Sequence, residues 1–441
     1  MNIAKEKSAV FCNQRIKILI ERFPIMVAAL LSFSSLFLIS IFFHFTFCAD
    51  DYAYLARVYS SEGLTFSSFG PFIYRVPLWS FFTWGIFHIA QFVPIHALIY
   101  LTILIFCIAF AMLAFYVYNH LIGKPVPLET LGWIITTTVF ALFPNYYEIL
   151  YWPTCMTYIP GMMFMALAFR CRRSFVIVFF LMSSFLTSEM YILPALAYTL
   201  LSALVKKFSL KALLIRSRFW IAAIFFTLGI KGLIFLTLRF QYRYDLRFEP
   251  FYLFNQIKTA LIRTWTIHFY KTNYLLSFIY LAALILVFYV LYRKNILSSR
   301  FFRVLLGTAF LVTAIYWFYG HQAIRSLFAA QVYIVTILVF VFIKLDVKTK
   351  IFLPILFIVF IAQNLYVYSI KDKNYHILKK RTAELISQIE QAKDPCVLEI
   401  EQLNAGLKRD WVLPSDYWEF YLQWLNGKYF PNKLITFKIK K

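Results

Sequence analysis

Two neighbouring aspartates, Asp50 and Asp51, directly follow a long apolar run, residues 23–47, in which His44 is the one titratable side chain. A carboxylate at the end of such a run is costly unless it faces water, protein or a partner charge. An adjacent acid tends to raise one of the two pKa values, which suits a group that takes a proton from a hydroxyl. We predict that the pair supplies a general base or a divalent-metal ligand, with simple helix capping as the alternative.

Two further acids lie in breaks between apolar segments. Glu148 occurs in FPNYYEILYWPTCMTY and Glu189 in FLTSEMYILP. Both are expected on the same side of the membrane as Asp50 and Asp51, so all four are candidate catalytic residues. The alternative for each glutamate is a buried anchor for hydrogen bonds.

An excess of positive charge lies in residues 239–272, which carry six basic residues against Asp245 and Glu249. An anionic phosphate explains cations on an outer face, because guanidinium groups bind phosphate oxygens in pairs. Anchoring to lipid head groups is the alternative. The candidate phosphate ligands are Arg75, Arg243, His321 and Arg325.

The composition requires a hydrophobic environment for these groups. The chain is 62% hydrophobic and 15% charged, whereas soluble domains average about 25% charged residues. Apolar runs of about 17 to 25 residues recur along the chain, as membrane-spanning helices require. The net charge is +24, but most basic residues lie in short loops, which indicates cytoplasmic loops rather than nucleic-acid binding. We predict an all-α polytopic membrane protein.

The basic clusters predict eleven spans, with the N-terminus cytoplasmic and the C-terminus outside. The segment Val76–Phe92 is interpreted as a helix at the outer face, because counting it as a span would move the later basic clusters outside. The predicted spans are 23–47, 97–118, 128–144, 153–169, 174–188, 190–205, 219–238, 273–292, 303–319, 327–344 and 350–368.

Two domains are expected. Residues 1–370 form the membrane domain, which includes outer loops 48–96 and 239–272, and residues 371–441 form a small extracytoplasmic segment. That segment is expected to contain a helix at 377–391, a short strand at 396–400 and an aromatic patch. It forms either an α/β appendage or a cover folded back on the outer loops. The six cysteines have no paired spacing, and no nucleotide-binding motif is found.

Two short motifs resemble a known family. ADDYAYLARVY resembles the Asp-Asp or Asp-Glu motif of the GT-C class of integral-membrane glycosyltransferases. NYYEILYW is similar to a glutamate-containing segment of bacterial serotype-converting O-antigen glucosyltransferases. The resemblance implies a GT-C-like fold in which Asp50 is the general base and Asp51 assists it or holds a metal. It provides no matching position for the phosphate-binding arginine, so Arg75, Arg243 and Arg325 stay open.

The resemblance also implies a reaction and a location. The donor would be a sugar, expected to be glucose, on a polyprenyl phosphate that a separate synthase makes in the cytoplasm and a separate flippase turns outward. The acceptor would be a lipopolysaccharide O-antigen at the periplasmic face of the bacterial inner membrane. No cofactor is required apart from the divalent metal considered for Asp51. The alternatives are a lipid-linked-sugar flippase or transporter, which would carry mid-span charges and internal repeats, and an O-antigen polymerase.

Overall fold

The computed structural model describes residues 22–45, 47–60, 62–69, 73, 76–121, 127–143, 146–192, 210–238, 351–400 and 418–439, with isolated positions between 289 and 343. These residues are mostly helical. In chain order the helices are α1 (Pro24–Ser40), α2 (Ala49–Val58), α3 (Pro77–Ile89), α4 (Ile95–Leu121), α5 (Pro127–Ala141), α6 (Tyr147–Tyr151), α7 (Pro153–Met156), α8 (Ile159–Arg170), α9 (Ser174–Thr187), α10 (Leu210–Leu238), α11 (Phe352–Gln391) and α12 (Trp418–Tyr429). Two 3-10 helices are Phe66–Phe69 and Glu189–Tyr191, and two strands are β1 (Cys396–Ile400) and β2 (Ile435–Ile439).

Within these ranges, three helices are long and apolar enough to cross a membrane: Ile95–Asn119 of α4, Ser217–Thr237 of α10, and α11. Helices α1 and α9 are apolar but shorter. This agrees with a helical membrane protein. The eleven-span topology stays a prediction, because 193–209 and most of 239–350 lie outside the described residues.

Helix α4 is at the centre of the bundle and packs against α1 and α8. In its apolar 18-residue stretch, 67% of the stretch is buried, and Phe106 and Phe110 are completely enclosed. The corresponding stretch of α10 is only 17% buried and exposes large apolar side chains such as Phe225 and Leu236. An exposed apolar surface of that kind suits a lipid environment better than water.

The expected first span ends earlier than residue 47. Helix α1 stops at Ser40, and the segment that follows is not helical. Two phenylalanines leave the helix to reach aromatic partners: Phe43 stacks on Tyr368 with ring centroids 5.6 Å apart, and Phe45 stacks on Tyr151 at 5.0 Å. Both contacts are made by described residues of the link between α1 and α2.

The expected span 153–169 is broken into α7 and α8 by a turn at Thr157 and Tyr158. Pro160 lies in the first turn of α8, where its missing N–H is tolerated, but its ring prevents a helix from continuing through that point. The 12 residues of α8 extend about 18 Å, which is short of a bilayer core of about 30 Å.

The boundary expected at residue 370 lies inside a helix. Helix α11 runs for 40 residues without interruption, because no glycine or proline follows Pro354 before its end. It is about 60 Å long, so its polar half extends well beyond an apolar layer of about 30 Å. Helix α10 likewise begins before the expected 219, so Lys211, Arg216 and Arg218 are helical rather than in a loop.

The tail confirms the expected strand at Cys396–Ile400 and the expected helix at 377–391, which is the end of α11. The chain is therefore not entirely α, since β1 pairs in parallel with β2. The tail is both an α/β unit and a cover. Helix α12 packs on α2, where the Tyr52 ring lies 5.1 Å from Tyr421 and 5.5 Å from Trp424. A second apolar cluster joins α2, α3, the C-terminal half of α11 and α12.

Gly427 allows α12 to approach α2 closely. A Cβ at this position would lie 2.8 Å from both the Cβ and the carbonyl oxygen of Tyr59. We expect Gly427→Ala to lower the free energy of unfolding by about 1–3 kcal/mol, because the backbone at Tyr59 has to move. The matched control is Gly85→Ala in α3, where a Cβ meets nothing within 4 Å.

Thermal unfolding and limited proteolysis of the purified protein measure this effect. Gly427→Ala should lower the unfolding midpoint and expose residues after 400 to protease, whereas Gly85→Ala should be neutral or stabilising by up to about 1 kcal/mol. Equal behaviour of the two variants would contradict the close packing of α12 on α2.

Candidate functional site

The Asp51 carboxylate joins the beginnings of two helices. Its Oδ2 accepts a hydrogen bond of 2.8 Å from the backbone N–H of Cys48, the N-cap residue of α2. Its Oδ1 accepts bonds from the backbone N–H of Thr154, at 3.0 Å, and from the Thr154 hydroxyl. Thr154 lies in the first turn of α7. The first N–H groups of a helix have no partner inside it, so one side chain satisfies two such ends.

This arrangement follows from local sequence. Cys48 is extended, with φ −129° and ψ 149°, and Asp51 lies three residues later, the spacing at which an acidic side chain returns to the N-cap N–H. Pro153 begins α7 and positions Thr154 with its N–H directed out of the helix end. The capping alternative for the acidic pair is therefore confirmed at Asp51.

Asp51 has no exposed surface. Burial raises its pKa to about 7, although the hydrogen bonds from Thr154 and Cys48 favour the charged form and offset part of that cost. Oδ1 accepts two hydrogen bonds, Oδ2 accepts one, and the side chain is enclosed, which leaves little of the carboxylate for a metal ion. This geometry favours a structural function for Asp51 over metal ligation.

Asp50 is the more accessible of the two carboxylates, being half-buried. Successive residues on a helix point about 100° apart, so the side chain of Asp50 does not point into the protein as that of Asp51 does. Burial, and next the charge of Asp50, raise the pKa of Tyr54, which lies one turn along α2. The Tyr54 ring packs 5.0 Å from Phe69 and 5.3 Å from Phe87. An aromatic wall therefore stands beside the Asp50 side of α2.

The backbone segments that carry the other two acids meet the same end of the bundle. Glu148 lies on α6, which leads directly into the Thr154 turn. Glu189 begins a 3-10 helix whose Tyr191 donates a hydrogen bond of 2.6 Å to the carbonyl of Tyr158. The segments that carry Glu148 and Glu189 therefore adjoin the α7 turn, and the catalytic roles of the two glutamates stay predictions.

The cationic half of the predicted site is not described. Arg75, Arg243, His321 and Arg325 lie outside the described residues, so their part stays a prediction. Among described cations, Arg57 donates to the carbonyl of Ser68, and the buried Lys371 reaches the carbonyl of Tyr151 at 3.4 Å. The hydrogen-bond partners found for Asp51 are neutral groups.

Sequence reasoning missed Thr154 and a cluster of His44, Asp372 and His376. The Asp372/His376 spacing of four residues is a readable helical pair. No pattern in a single sequence links it to His44, which is 328 residues away. Cys48 and Cys155 are both buried and are not joined to each other by a disulfide bond.

Asp51 should make stability depend on pH. Its folded pKa of about 7 lies above the ordinary 3.8, so between these values the folded protein binds more protons than the unfolded chain, and stability falls as pH rises. Asn at position 51 cannot ionise. From pH 5 to pH 8 we expect Asp51→Asn to gain about 2–3 kcal/mol of stability relative to the unchanged protein.

Unfolding midpoints of both proteins at pH 5 and pH 8 measure this difference. Loss of the Cys48 N–H acceptor in the variant is a constant cost that does not change with pH. The matched control is Glu62→Gln, an exposed acid in the same loop, whose midpoint should follow that of the unchanged protein. The expectation is wrong if the offset between Asp51→Asn and the unchanged protein is the same at both pH values.

Comparisons of this chain with protein-family models, with curated proteins and with solved structures found no match.

Proposed function

We propose that this protein is a membrane glycosyltransferase of the GT-C class. It transfers a sugar, glucose in the simplest case, from a polyprenyl-phosphate donor to an O-antigen acceptor on the periplasmic side of the inner membrane. One observation supports it above the others: a partly exposed carboxylate, Asp50, stands beside an enclosed carboxylate, Asp51, at the end of an apolar helical bundle.

Asp50 has the accessibility that a general base needs. A base must come within hydrogen-bond distance of the acceptor hydroxyl, about 2.6–3.2 Å, and the enclosed Asp51 is denied that approach. Asp51 instead holds the first turn of α2 against α7, which fixes the position of Asp50. In this proposal Asp50 is the catalytic residue and Asp51 is a positioning residue.

The reaction balances with these parts. Asp50 takes the proton of the acceptor hydroxyl as that oxygen attacks the anomeric carbon of the donor. The bond from the anomeric carbon to the phosphate oxygen breaks, and polyprenyl phosphate leaves with the electron pair. The displacement inverts the anomeric centre. Cations stabilise the leaving phosphate, and Arg75, Arg243, His321 and Arg325 are proposed for that task.

Glu148 and Glu189 lie on segments that adjoin the Thr154 turn and Tyr158. We propose that they bind hydroxyls of the donor or acceptor sugar, with a purely structural anchor as the alternative for each. The partly exposed ring of Tyr54, one turn from Asp50 on α2, suits the apolar face of a sugar.

The membrane arrangement belongs to this proposal. Eleven spans with a cytoplasmic N-terminus would place the Asp50 end of the bundle, the polar half of α11 and the tail on the periplasmic side. The lipid tail of the donor would then lie along the apolar bundle, with its phosphate at the membrane surface. Energy stored in the glycosyl phosphate makes a nucleotide site unnecessary.

Asp50→Asn tests the base directly. Loss of a general base lowers rates by about 10²- to 10⁴-fold, so sugar addition to the O-antigen should be lost while the amount of folded protein stays unchanged. The measurement is glycan composition and linkage analysis of lipopolysaccharide from a bacterial host that supplies the donor lipid. Glu62→Gln is the matched control, being an acid of the same loop that is exposed and away from the pair.

The outcomes separate the alternatives. Sugar addition by Asp50→Asn at the normal level would exclude Asp50 as base. Loss of O-antigen chain length, rather than of a side branch, when the protein is absent would favour a polymerase. Accumulation of donor lipid on the cytoplasmic side would favour a flippase.

A further inference from the structure

Three side chains with metal-binding atoms meet beside the link between α1 and α2. His44 Nδ1 lies 2.9 Å from Asp372 Oδ1, and His376 Nε2 lies 3.6 Å from Asp372 Oδ2. One ligand atom from each residue can be chosen so that all three lie within 4.8 Å of one another. Within the described ranges, this is the group of His, Cys, Asp and Glu side chains whose ligand atoms lie close enough together to hold one metal ion.

Two backbone segments create the cluster. Asp372 and His376 are four residues apart on α11, so they lie on the same face of that helix. His44 comes from the non-helical link after α1, and its backbone N–H also donates to Asp372 Oδ1 at 2.8 Å. The Tyr375 ring stacks on the His44 imidazole with centroids 4.8 Å apart and planes 9° apart. These contacts hold the orientation of the His44 ring before any ligand binds.

We propose that His44, Asp372 and His376 bind a divalent cation of the Zn²⁺ type. Two imidazoles and one carboxylate are a ligand set that such ions take, with bonds of about 2.0–2.2 Å. Ligand atoms on a tetrahedral ion then lie about 3.4 Å apart. Here each imidazole lies near a different oxygen of Asp372, at 2.9 Å and 3.6 Å, and the three ligand atoms lie within 4.8 Å of one another, so the imidazoles must move closer together to bind one ion. Small rotations of the exposed imidazoles bring the atoms to the metal.

Solvent access leaves a further coordination position open. The side chains of His44 and His376 are 51% and 59% exposed, and that of Asp372 is 26% exposed. Three protein ligands with an open fourth position are typical of zinc sites that bind water or substrate, whereas structural sites use four. A third imidazole, His96, has its ring centroid 6.3 Å from that of His44 and could approach the open position.

Two described lysines near the cluster direct their ammonium groups at partners other than its ligand atoms. Lys371 is buried and directs its ammonium at the carbonyl of Tyr151, toward the interior. Lys379 lies over the Tyr375 ring, 5.8 Å from its centroid. The hydrogen bond from the His44 backbone N–H to Asp372 Oδ1 holds the carboxylate beside the imidazole.

A bound ion would connect the α1–α2 link to the C-terminal half of α11. The link continues into Cys48 and the Asp51 cap, so the metal would stiffen the approach to that end of the bundle. The proposal does not depend on the transferase reaction, because metal binding is measured without it.

The experiment uses the full chain, purified in detergent with an affinity tag that contains no histidine and dialysed against a chelator. Zn²⁺ binding is measured by equilibrium dialysis with elemental analysis, and Co²⁺ absorption reports the ligand geometry. We expect one Zn²⁺ per chain. His44→Ala and His376→Gln should each weaken binding at least about tenfold, and Asp372→Asn should do the same. His88→Ala is the matched control and should bind Zn²⁺ like the unchanged protein, because His88 contacts the carbonyl of Leu64 instead.

Thermal unfolding of the metal-free variants shows whether each one folds, and His376→Gln changes an exposed position on a helix surface, so it is the safest variant. Zn²⁺ should raise the unfolding midpoint of the unchanged protein and not that of His376→Gln. The proposal is overturned if the unchanged protein shows no saturable binding near one Zn²⁺ per chain, or if folded His376→Gln binds Zn²⁺ as tightly as His88→Ala.

Discussion

The hydrogen bonds of one enclosed carboxylate determine how the α2 end of this bundle is assembled. Asp51 satisfies the N-terminal N–H of α2 and that of α7, two helices separated by about a hundred residues of chain. Removing a carboxylate from water is costly, and burial alone raises its pKa. The cost is tolerable because three donors converge on the group, and those donors would otherwise be buried without partners. Each side of the contact therefore requires the other.

Other parts of the molecule are arranged around α2 once that contact exists. The Thr157 hydroxyl donates to the carbonyl of Thr154 and accepts a bond of 3.3 Å from Thr83 on α3. On its other side, α2 packs on α12 through Tyr52. A helix of ten residues would be marginal in water. Here it is stable because a cap, a helix of the first loop and the tail enclose it.

Much of the helical content could be predicted from composition, since apolar runs without breakers become helices wherever they lie. The acidic segments could be placed at one end of the bundle because breaks between apolar runs must lie at its ends. The interruption at Pro160 was also readable in principle, since proline acts locally. The early end of α1 could not be predicted, because Phe43 and Phe45, which follow it, contact the rings of Tyr368 and Tyr151 far away in the sequence.

The different surroundings of the two adjacent aspartates could not be predicted from a single sequence. Asp50 and Asp51 are chemically identical, and a motif treats them as a pair. Their difference arises from Thr154, a residue with no distinguishing pattern, and from the extended conformation of Cys48. The meeting of His44 with Asp372 is equally invisible, because it is a property of how α1 and α11 are packed.

The uninterrupted course of α11 has a mechanical consequence. Because α11 has no glycine or proline after its first turn, it has no residue of the kind that causes a sharp kink. Its two halves therefore move together as one rigid element. With about 30 Å of helix projecting, a tilt of roughly five degrees of the apolar half displaces the far end by about 3 Å. Asp372 and His376 lie on the C-terminal half of α11. Lys433 of the tail donates hydrogen bonds to the carbonyls of Ile389 and Ala392 at the end of this helix. A movement of α11 within the apolar layer would therefore also displace the part of the tail that Lys433 joins to this helix.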